Sequence, residues 1–286
     1  MKGQIILLTD CHTHTHNSFD AENDTVKERC EKAIELGLYA MAITDHCEAN
    51  RFYSKEYYNI TEVSVNDEYN YKKAYEESVA ETTAAKEEYK DKLNLICGIE
   101  LGQATSDDNV TDIICSDKRI DFIIGSMHEL PGHEDFYFLD YSKENVPELM
   151  EENFKEIYKL CKQNKFDVLG HLTYALRYIE GDQKIKVNLS DYKDMISEIF
   201  KEIIKNGKGI EINTSGLRQA YGKTFPSIEY IKLYKDLGGK IITFGSDSHS
   251  NADLGAGISQ GIKIAKQAGF EKAAYYINHN PYFIEI

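Results

Sequence analysis

The prediction of the fold starts from the stretch Ile5-Ile6-Leu7-Leu8-Thr9-Asp10-Cys11-His12-Thr13-His14. An apolar run ends at an acid and at alternating histidines, which indicates a short β-strand that carries imidazoles at its carboxyl end. Successive side chains of a strand point to opposite faces, so we expect His12 and His14 to point the same way. Two imidazoles on one face can bind one metal ion, and the rest of the chain must supply the remaining ligands.

The same pattern of a short apolar strand followed by a helix recurs along the chain. Further strands are predicted at residues 39–43, 93–99, 122–127, 166–170, 209–213 and 240–245. Helices are predicted from 23 or 24 to 37, and at 67–90, 110–118, 143–162, 190–206, 226–238 and 255–266, with Ser190 as a cap and Pro226 as a first helical residue. This alternation is typical of a parallel sheet with crossover helices, and closure into a seven-stranded α/β barrel is its natural form. Residues 47–65 are expected to form a long loop, and 282–284 an extra edge strand.

Composition limits the classes of protein to which the chain can belong. The 286 residues are 42% hydrophobic and 28% charged, without a low-complexity linker, so we expect one domain spanning 1–286. A formal charge of -15 argues against nonspecific binding to nucleic acid or to an anionic membrane. No apolar run reaches the roughly 18 residues of a membrane span, and a cytoplasmic location is the default expectation. The six cysteines contain no C-x-x-C pair and are expected to be buried, reduced thiols.

Side chains that can bind metals follow six of the seven predicted strands. They are His12, His14, His46, Glu100, His128, His171, Asp247 and His249. A lone histidine after a strand is usually a hydrogen-bonded structural residue, but the carboxyl ends of parallel strands meet at one end of a barrel. The shared position therefore favours a metal site, and so many ligands exceed the needs of one ion. Mixed imidazole and carboxylate ligands suit two or three divalent ions of Zn, Mn or Fe, with Glu100 placed to bridge two of them.

These segments carry a family resemblance. The motifs are Asp10-Cys11-His12-Thr13-His14 with Asp20, Thr44-Asp45-His46, Gly98-Ile99-Glu100, Gly125-Ser126-Met127-His128, Gly170-His171, the run from Glu211 to Arg218, and Gly245-Ser246-Asp247-Ser248-His249. With them the chain resembles, over nearly its full length, the PHP (polymerase and histidinol phosphatase) family, and within it the monofunctional histidinol-phosphatases. The resemblance implies a distorted seven-stranded β/α barrel with a trinuclear site at the carboxyl ends of its strands.

The resemblance also implies an assignment of ligands. It gives the first metal His12, His14, Glu100 and Asp247, the second Glu100, His128 and His171, and the third Asp20, His46 and His249. Asp20 alone would be interpreted as a turn residue. Arg177 and Arg218 are surface residues by default, whereas the resemblance implies that they bind the substrate phosphate, whose geometry suits paired N–H donors.

The activity implied by the resemblance is hydrolysis of a small phosphate monoester, L-histidinol phosphate, by a hydroxide that bridges two metal ions, with Asp247 or His249 passing a proton to the leaving alcohol. Three alternatives stay open. One is a relative that acts on a nucleotide, sugar phosphate or phosphotyrosine, the second is an amidohydrolase-like metal hydrolase, and the third is a metal-binding module without activity.

Several polar residues near these motifs are left undecided. Ser18 is placed either to orient Asp20 or the phosphate, or to form a plain turn. Glu48 is either a partner for a substrate ammonium or, as the simpler interpretation, a solvated loop acid. His16, His133 and His279 are not expected to be ligands.

Overall fold

The structure of the protein, a computed structural model, describes residues 7–59 and 69–286. Its strands are β1 Leu8–Asp10, β2 Leu38–Ile43, β3 His46–Glu48, β4 Asn94–Gly102, β5 Phe122–Ser126, β6 Val168–Leu169, β7 Gly209–Asn213, β8 Ile242–Gly245, β9 Lys272–Ile277 and β10 Asn280–Glu285. Its α-helices are α1 Val26–Glu35, α2 Lys55–Tyr58, α3 Tyr71–Tyr89, α4 Asp108–Ser116, α5 Val146–Gln163, α6 Lys193–Lys205, α7 Ile228–Asp236 and α8 Ile258–Gln267. A π-helical turn covers Arg177–Asp182, and 3-10 turns cover Ala49–Arg51, Ala104–Ser106, Leu189–Tyr192 and Ser215–Leu217.

Seven strands form one parallel sheet in the order β1, β2, β4, β5, β6, β7, β8. The first and last of them approach each other, because the Cys11 N–H donates to the Phe244 carbonyl at 2.7 Å and the Asp247 N–H donates to the His12 carbonyl at 2.8 Å. The sheet is thus a nearly closed, distorted barrel with helices between successive strands, which confirms the predicted fold class. The carboxyl ends of the strands meet at one end of it.

The C-terminal hairpin lies at the opposite end of the barrel. The strand predicted at 282–284 is part of β10, but it pairs antiparallel with β9 in a separate two-stranded sheet, and β9 was not predicted. Its turn contacts residues that precede β5 and β6, since the His279 N–H donates to the Asp121 carbonyl at 2.7 Å and the His279 ring lies 2.8 Å from the Asp167 carboxylate. The hairpin therefore covers the amino ends of these strands and leaves the carboxyl ends accessible.

Several predicted boundaries are wrong for local reasons. Helix α1 is capped by Thr25 rather than by residue 23 or 24, because Thr25 and Glu28 form a reciprocal capping box. Ser190 lies in a 3-10 turn, where its hydroxyl donates to Asn188 Oδ1 at 2.9 Å, and α6 begins at Lys193. Pro226 precedes the N-cap Ser227 of α7, because the neighbouring Phe225 is held extended in a bridge to β7.

The segment predicted as a loop at 47–65 contains regular structure where it is described. Residues His46–Glu48 form β3, which pairs with β4, and Lys55–Tyr58 form a short helix. Residues 60–68, which include the rest of the predicted loop, lie outside the described part of the chain. Since β3 hydrogen-bonds to β4, it places His46 opposite Glu100 in the sheet register.

Burial agrees with the expectation for the thiols. All six cysteines are free, and five are buried, whereas Cys115 is only partly so. Among the described residues, no helix has both the length and the apolar composition required to cross a membrane.

Candidate metal centre

The carboxyl ends of the strands bring the predicted ligands into one cluster. His12 and His14 follow β1, His46 begins β3, and Glu100 lies within β4. His128, His171, Asp247 and His249 follow β5, β6 and β8, and Asp20 joins them from the loop after β1. Eight of the nine side chains belong to sequence segments at strand ends, so a parallel barrel necessarily gathers them.

Glu100 is at the centre of the cluster and is fully buried. Its Oε1 lies 2.7 Å from His171 Nε2 and 3.1 Å from His128 Nε2, and it accepts a hydrogen bond from Ser126 at 2.7 Å. Its Oε2 lies 3.3 Å from His12 Nε2 and 2.9 Å from His46 Nδ1. The two oxygens therefore face different sets of imidazoles, as a carboxylate shared between two ions requires.

A second group of side chains surrounds Asp20 and Asp247. Asp20 lies 3.5 Å from His46 Nε2 and 3.2 Å from His249 Nε2. Asp247 Oδ1 lies 3.3 Å from His14 Nε2 and 3.6 Å from His249 Nδ1. The His14 ring stacks between those of His46 and His249, with centroids 4.3 and 4.1 Å away. This group adjoins the one around Glu100, because His46 contacts both.

The cluster contains buried polar atoms that the protein itself does not satisfy. Within residues 7–59 and 69–286, His12 Nε2, His14 Nε2, His46 Nδ1 and Glu100 Oε2 make no contact with hydrogen-bond geometry, although the three nitrogens lie 2.9 to 3.6 Å from Glu100 Oε2. Such atoms are costly to bury unless something else satisfies them. Three sets of ligand atoms are close enough to hold a cation: His14, His46 and His249; His12, His14 and Glu100; and His46, Glu100 and His128. The side chains present thus fit divalent metal ions.

The electrostatics of the cluster lead to the same conclusion. Burial opposes ionisation of Glu100, yet the imidazoles of His12, His128 and His46 hold its pKa well below its ordinary value. Burial, together with the neighbouring His249 and His46, holds the pKa of His14 well below its ordinary value, so this imidazole is neutral. At His12, His46 and His128, burial lowers the pKa but the neighbouring carboxylates raise it well above its ordinary value, so a cation bound there would replace protons on these imidazoles.

Two carboxylates behind the cluster were not predicted as site residues. Glu211 Oε1 lies 2.7 Å from His12 Nδ1, and its Oε2 accepts the His171 N–H at 2.8 Å. Glu48 is buried rather than solvated, which corrects the simpler interpretation, and its Oε1 lies 2.9 Å from His128 Nδ1. Each carboxylate orients an imidazole and fixes which nitrogen carries the proton. A glutamate between Ile210 and Ile212 in a buried strand was the available sequence signal for Glu211.

The predicted phosphate ligands occupy different surroundings. Arg177 begins the π-helical turn after β6 and lines the cleft above the cluster, with its guanidinium 5.1 Å from the Tyr178 ring centroid. Arg218 is directed instead at the turn that bears Asp247. It donates to the Ser246 carbonyl at 2.6 Å and to the Asp247 carbonyl at 2.8 Å, and it pairs with Asp253 at 3.2 Å.

That turn is conformationally demanding. Asp247 has φ +54°, in the left-handed region that residues other than glycine rarely adopt. The hydrogen bonds from Arg218 therefore stabilise a backbone that would otherwise relax and carry the Asp247 carboxylate away from His14.

The cleft above the cluster also carries acids and aromatic rings. Its walls include Phe19, Tyr71 and Tyr174 together with Glu129 and Asp135. Glu129 accepts hydrogen bonds from Asn50 and Arg51, and its burial raises its pKa to about 7. Burial also raises the pKa of Asp135. A cationic group of a ligand would offset the cost of burying these acids.

The histidines that were excluded as ligands lie outside the cluster. His16 lies 3.0 Å from Glu81 at the surface, and His279 lies in the hairpin at the other end of the barrel. His133 belongs to a turn after β5, where its N–H donates to the Leu130 carbonyl at 3.0 Å. Ser18 does not orient Asp20 through any hydrogen bond among the described residues; its hydroxyl lies between His14 and Asp45.

Comparison with known proteins shows which family, relatives and solved structure this chain is similar to. The PHP domain model matches residues 10–215. The probable histidinol-phosphatase of Thermotoga maritima is 28% identical over 93% of this chain and 95% of its own length. The histidinol-phosphatase of Lactococcus lactis is 27% identical over 93% of each chain. A crystal structure of histidinol phosphate phosphatase from Lactococcus lactis, complexed with zinc, L-histidinol and phosphate, has a TM-score of 0.76 and 25% identity, covering 97% of this chain and 100% of that one.

Proposed function

Because the chain belongs to the PHP domain family, we propose that it is a metal-dependent phosphomonoesterase that converts L-histidinol phosphate and water into L-histidinol and phosphate. The observation that carries the proposal is the cluster around Glu100, whose unsatisfied imidazole and carboxylate atoms face a cleft that also bears Arg177. Curated relatives over most of the chain are histidinol-phosphatases, which supports this substrate among phosphate monoesters.

The nine predicted ligands would hold two or three divalent ions in the proposed enzyme. His12, His14, Glu100 and Asp247 form one set, Glu100, His128 and His171 a second, and Asp20, His46 and His249 a third. When bound, such ions supply Lewis acidity, which favours ionisation of water and offsets the negative charge of a phosphoryl group. Zinc is the ion named with the Lactococcus lactis structure, and Mn and Fe suit the same donor set.

The protein's own groups would bind and orient the ester. The Arg177 guanidinium lies in the cleft and can donate two parallel hydrogen bonds to phosphate oxygens, which are the atoms that gain charge as phosphorus is attacked. Arg218 contributes in the proposed enzyme by holding the Asp247 turn, and in this conformation its guanidinium is engaged by two carbonyls. The acids Glu129 and Asp135 stand where a positively charged leaving group can be accommodated.

The departing alcohol takes up the proton that the attacking water loses, and we assign its transfer to whichever of Asp247 and His249 is not bound to metal at that step. Their Oδ1 and Nδ1 atoms lie 3.6 Å apart, and both side chains line the cleft. The rings of Phe19, Tyr71 and Tyr174 line the cleft and limit the water that can reach the reacting group.

The test measures phosphate release by the purified protein supplied with Mn²⁺ or Zn²⁺. The substrates are L-histidinol phosphate, a nucleoside monophosphate and an aryl phosphate, and the expected result is the highest kcat/KM with L-histidinol phosphate. Higher kcat/KM with either of the other esters would replace the substrate assignment, and release from none of them would overturn the phosphatase proposal. Glu100→Gln is the matched variant, and we expect it to lose both turnover and bound metal.

A further inference from the structure

Asp45 is a fully buried acid beside the metal centre with no role in the function proposed so far. Its carboxylate accepts four hydrogen bonds. Oδ1 accepts from the Thr15 N–H at 2.6 Å and from the Ser18 hydroxyl at 2.7 Å, and Oδ2 accepts from the Thr15 hydroxyl at 2.8 Å and from the Ser78 hydroxyl at 2.6 Å. These donors come from the loop after β1 and from helix α3, so Asp45 ties both elements to the end of β2.

The Ser18 hydroxyl connects this carboxylate to the metal centre. Besides its contact with Asp45, Ser18 Oγ lies 3.1 Å from His14 Nδ1 and accepts the His46 backbone N–H at 3.1 Å. A hydroxyl has one proton to donate and two lone pairs to accept with. The Asp45 oxygen can only accept when ionised, and a backbone N–H can only donate, so the Ser18 proton points to Asp45 and both lone pairs point to the other two groups.

This proton count fixes the tautomer of His14. Because Ser18 Oγ is an acceptor, His14 Nδ1 must carry the hydrogen, and the lone pair of the ring is on Nε2. His14 Nε2 is one of the buried atoms that have no hydrogen-bond partner among the described residues. It lies 3.3 Å from Asp247 Oδ1 and 3.6 Å from Glu100 Oε2. The lone pair therefore points into the centre of the ligand cluster.

The arrangement differs from that of two neighbouring imidazoles. His12 and His128 contact Glu211 and Glu48 directly, at 2.7 and 2.9 Å, whereas a serine hydroxyl stands between His14 and Asp45. We propose that Asp45 is a positioning residue that acts through the Ser18 hydroxyl to hold His14 in the Nδ1-protonated tautomer and so presents Nε2 as a metal ligand. The inference rests on the metal-dependent function proposed above, but it concerns the chain's own hydrogen bonds.

The variants that test it are matched to the network. Ser18→Ala removes the acceptor from His14 Nδ1, and Ser18→Thr keeps a hydroxyl there. Ser78→Ala removes a hydrogen bond to the same carboxylate without touching His14, so it is the control for a general loosening of Asp45. In Asp45→Asn the Thr15 N–H keeps the amide oxygen at the Oδ1 position, so Ser18 retains an acceptor, although an uncharged one. The amide NH₂ then stands at the Oδ2 position, where the Thr15 and Ser78 hydroxyls must turn to accept from it.

The first measurement is the nitrogen NMR signature of the His14 ring in protein labelled with ¹⁵N-histidine, both metal-loaded and after chelation. We expect an Nδ1–H tautomer in the parent, Ser18→Thr and Ser78→Ala proteins, and a mixture of tautomers in chelated Ser18→Ala. The second is Zn²⁺ affinity by competition with a chromophoric chelator, which we expect to fall about tenfold to a hundredfold in Ser18→Ala, less in Asp45→Asn, and not in Ser78→Ala.

An Nε2–H tautomer in the chelated parent protein would overturn the proposal, as would equal losses of affinity in Ser18→Ala and Ser78→Ala. Thermal unfolding of the chelated variants identifies any that fail to fold. If Ser18→Ala is one of them, Asp45→Asn is compared with Ser78→Ala, and equal Zn²⁺ affinities of these two would overturn the proposal. Failure of the proposed function has a different signature, since absence of phosphate release with the expected tautomer and Zn²⁺ affinity would leave this inference standing.

Discussion

Glu211 Oε1 lies 2.7 Å from Nδ1 of His12, and both side chains are buried although 199 residues separate them in the sequence. The same carboxylate accepts the His171 N–H through its other oxygen. One glutamate in β7 thus orients groups that follow β1 and β6, and it does so without reaching the cleft.

The first prediction concerns Glu211→Gln. In this variant the His171 N–H keeps the amide oxygen at the Oε2 position, so the new NH₂ group stands opposite His12 Nδ1. It also stands beside the Asn213 side-chain amide, which in the parent protein donates to Glu211 Oε1 at 3.2 Å. The His12 Nδ1–H, the new NH₂ group and the Asn213 NH₂ would then point at one another. The His12 hydrogen would have to move to Nε2, the nitrogen that faces Glu100. We expect bound metal and activity to fall about tenfold to a hundredfold, measured by elemental analysis and phosphate release.

Glu156→Gln is the control for Glu211→Gln, because Glu156 is also buried but pairs with Lys159 on the outer helix α5. It should leave metal content unchanged. Normal metal content in Glu211→Gln would show that His12 does not depend on this carboxylate.

The two arginines should respond differently to substitution. Arg177→Ala removes a donor pair from the cleft, so kcat/KM should fall about 10²- to 10³-fold with metal content unchanged. Arg177→Lys should recover part of the loss, because lysine supplies charge without the planar fork. The readouts are steady-state kinetics and metal per chain.

Arg218→Ala removes the donors that hold the Ser246 and Asp247 carbonyls, and the left-handed Asp247 should relax. We expect this variant to show a larger loss of bound metal than of affinity for inorganic phosphate. Full metal content combined with weakened inhibition by inorganic phosphate would instead give Arg218 the direct phosphate contact implied by the family resemblance.

Gly245→Ala tests the packing behind the cluster. A Cβ at this position in β8 would lie 2.5 Å from His12 Cβ and would overlap Glu211 Oε1, so one of the two side chains must move. We expect a loss of about 1–3 kcal/mol in the free energy of unfolding in urea, together with reduced metal content. Gly37→Ala is the control, since a Cβ added there would have no heavy atom of the described residues within 4 Å apart from its chain neighbours, while its φ of +70° is unfavourable. That variant should cost about 1–2 kcal/mol and keep its metal.

A pH-dependent prediction comes from Asp117, remote from the cleft at the end of α4. Hydrogen bonds from Arg119 lower the pKa of Asp117 to about 2, from an ordinary 3.8. Because the folded pKa is the lower one, the ionised carboxylate stabilises the fold above about pH 4, and this contribution is lost as pH falls towards 2. Arg119 is partly exposed, so we expect Asp117→Asn to cost only about 0.5–1 kcal/mol at pH 7.

The measurement for Asp117→Asn is urea unfolding of variant and parent, both chelated, at several values between pH 7 and pH 2. The difference in unfolding free energy should shrink between pH 4 and pH 2, and the contributions of all other acids cancel in it. A difference that is constant with pH would contradict the assigned role of Arg119.

Local sequence was sufficient to predict the seven strands of the barrel and the helices between them, whereas β3, α2 and β9 were not predicted. The apolar strands were found because a strand buried on both faces is an uninterrupted apolar run, and the amphipathic stripe of α6 was found because its period is 3.6. The N-caps of α1 and α6, Thr25 and Tyr192, were misplaced by one or two residues, since several polar residues in succession could each have capped the helix. Strand β9 was missed although its hairpin partner β10 follows after only Asn278 and His279, two residues with positive φ.

The sequence by itself determined which chemical groups stand at the carboxyl ends of the strands, because a strand that ends in His or Glu delivers that side chain wherever a parallel barrel closes. The group that contacts the outward ring nitrogen of each imidazole could be identified only from the tertiary structure. The contacts between distant segments are Glu211 with His12, Glu48 with His128, Asp45 with Ser18, and Arg218 with the Asp247 turn. Strand periodicity specifies the face on which a side chain lies, whereas its partner on that face is set by how the sheet registers and closes.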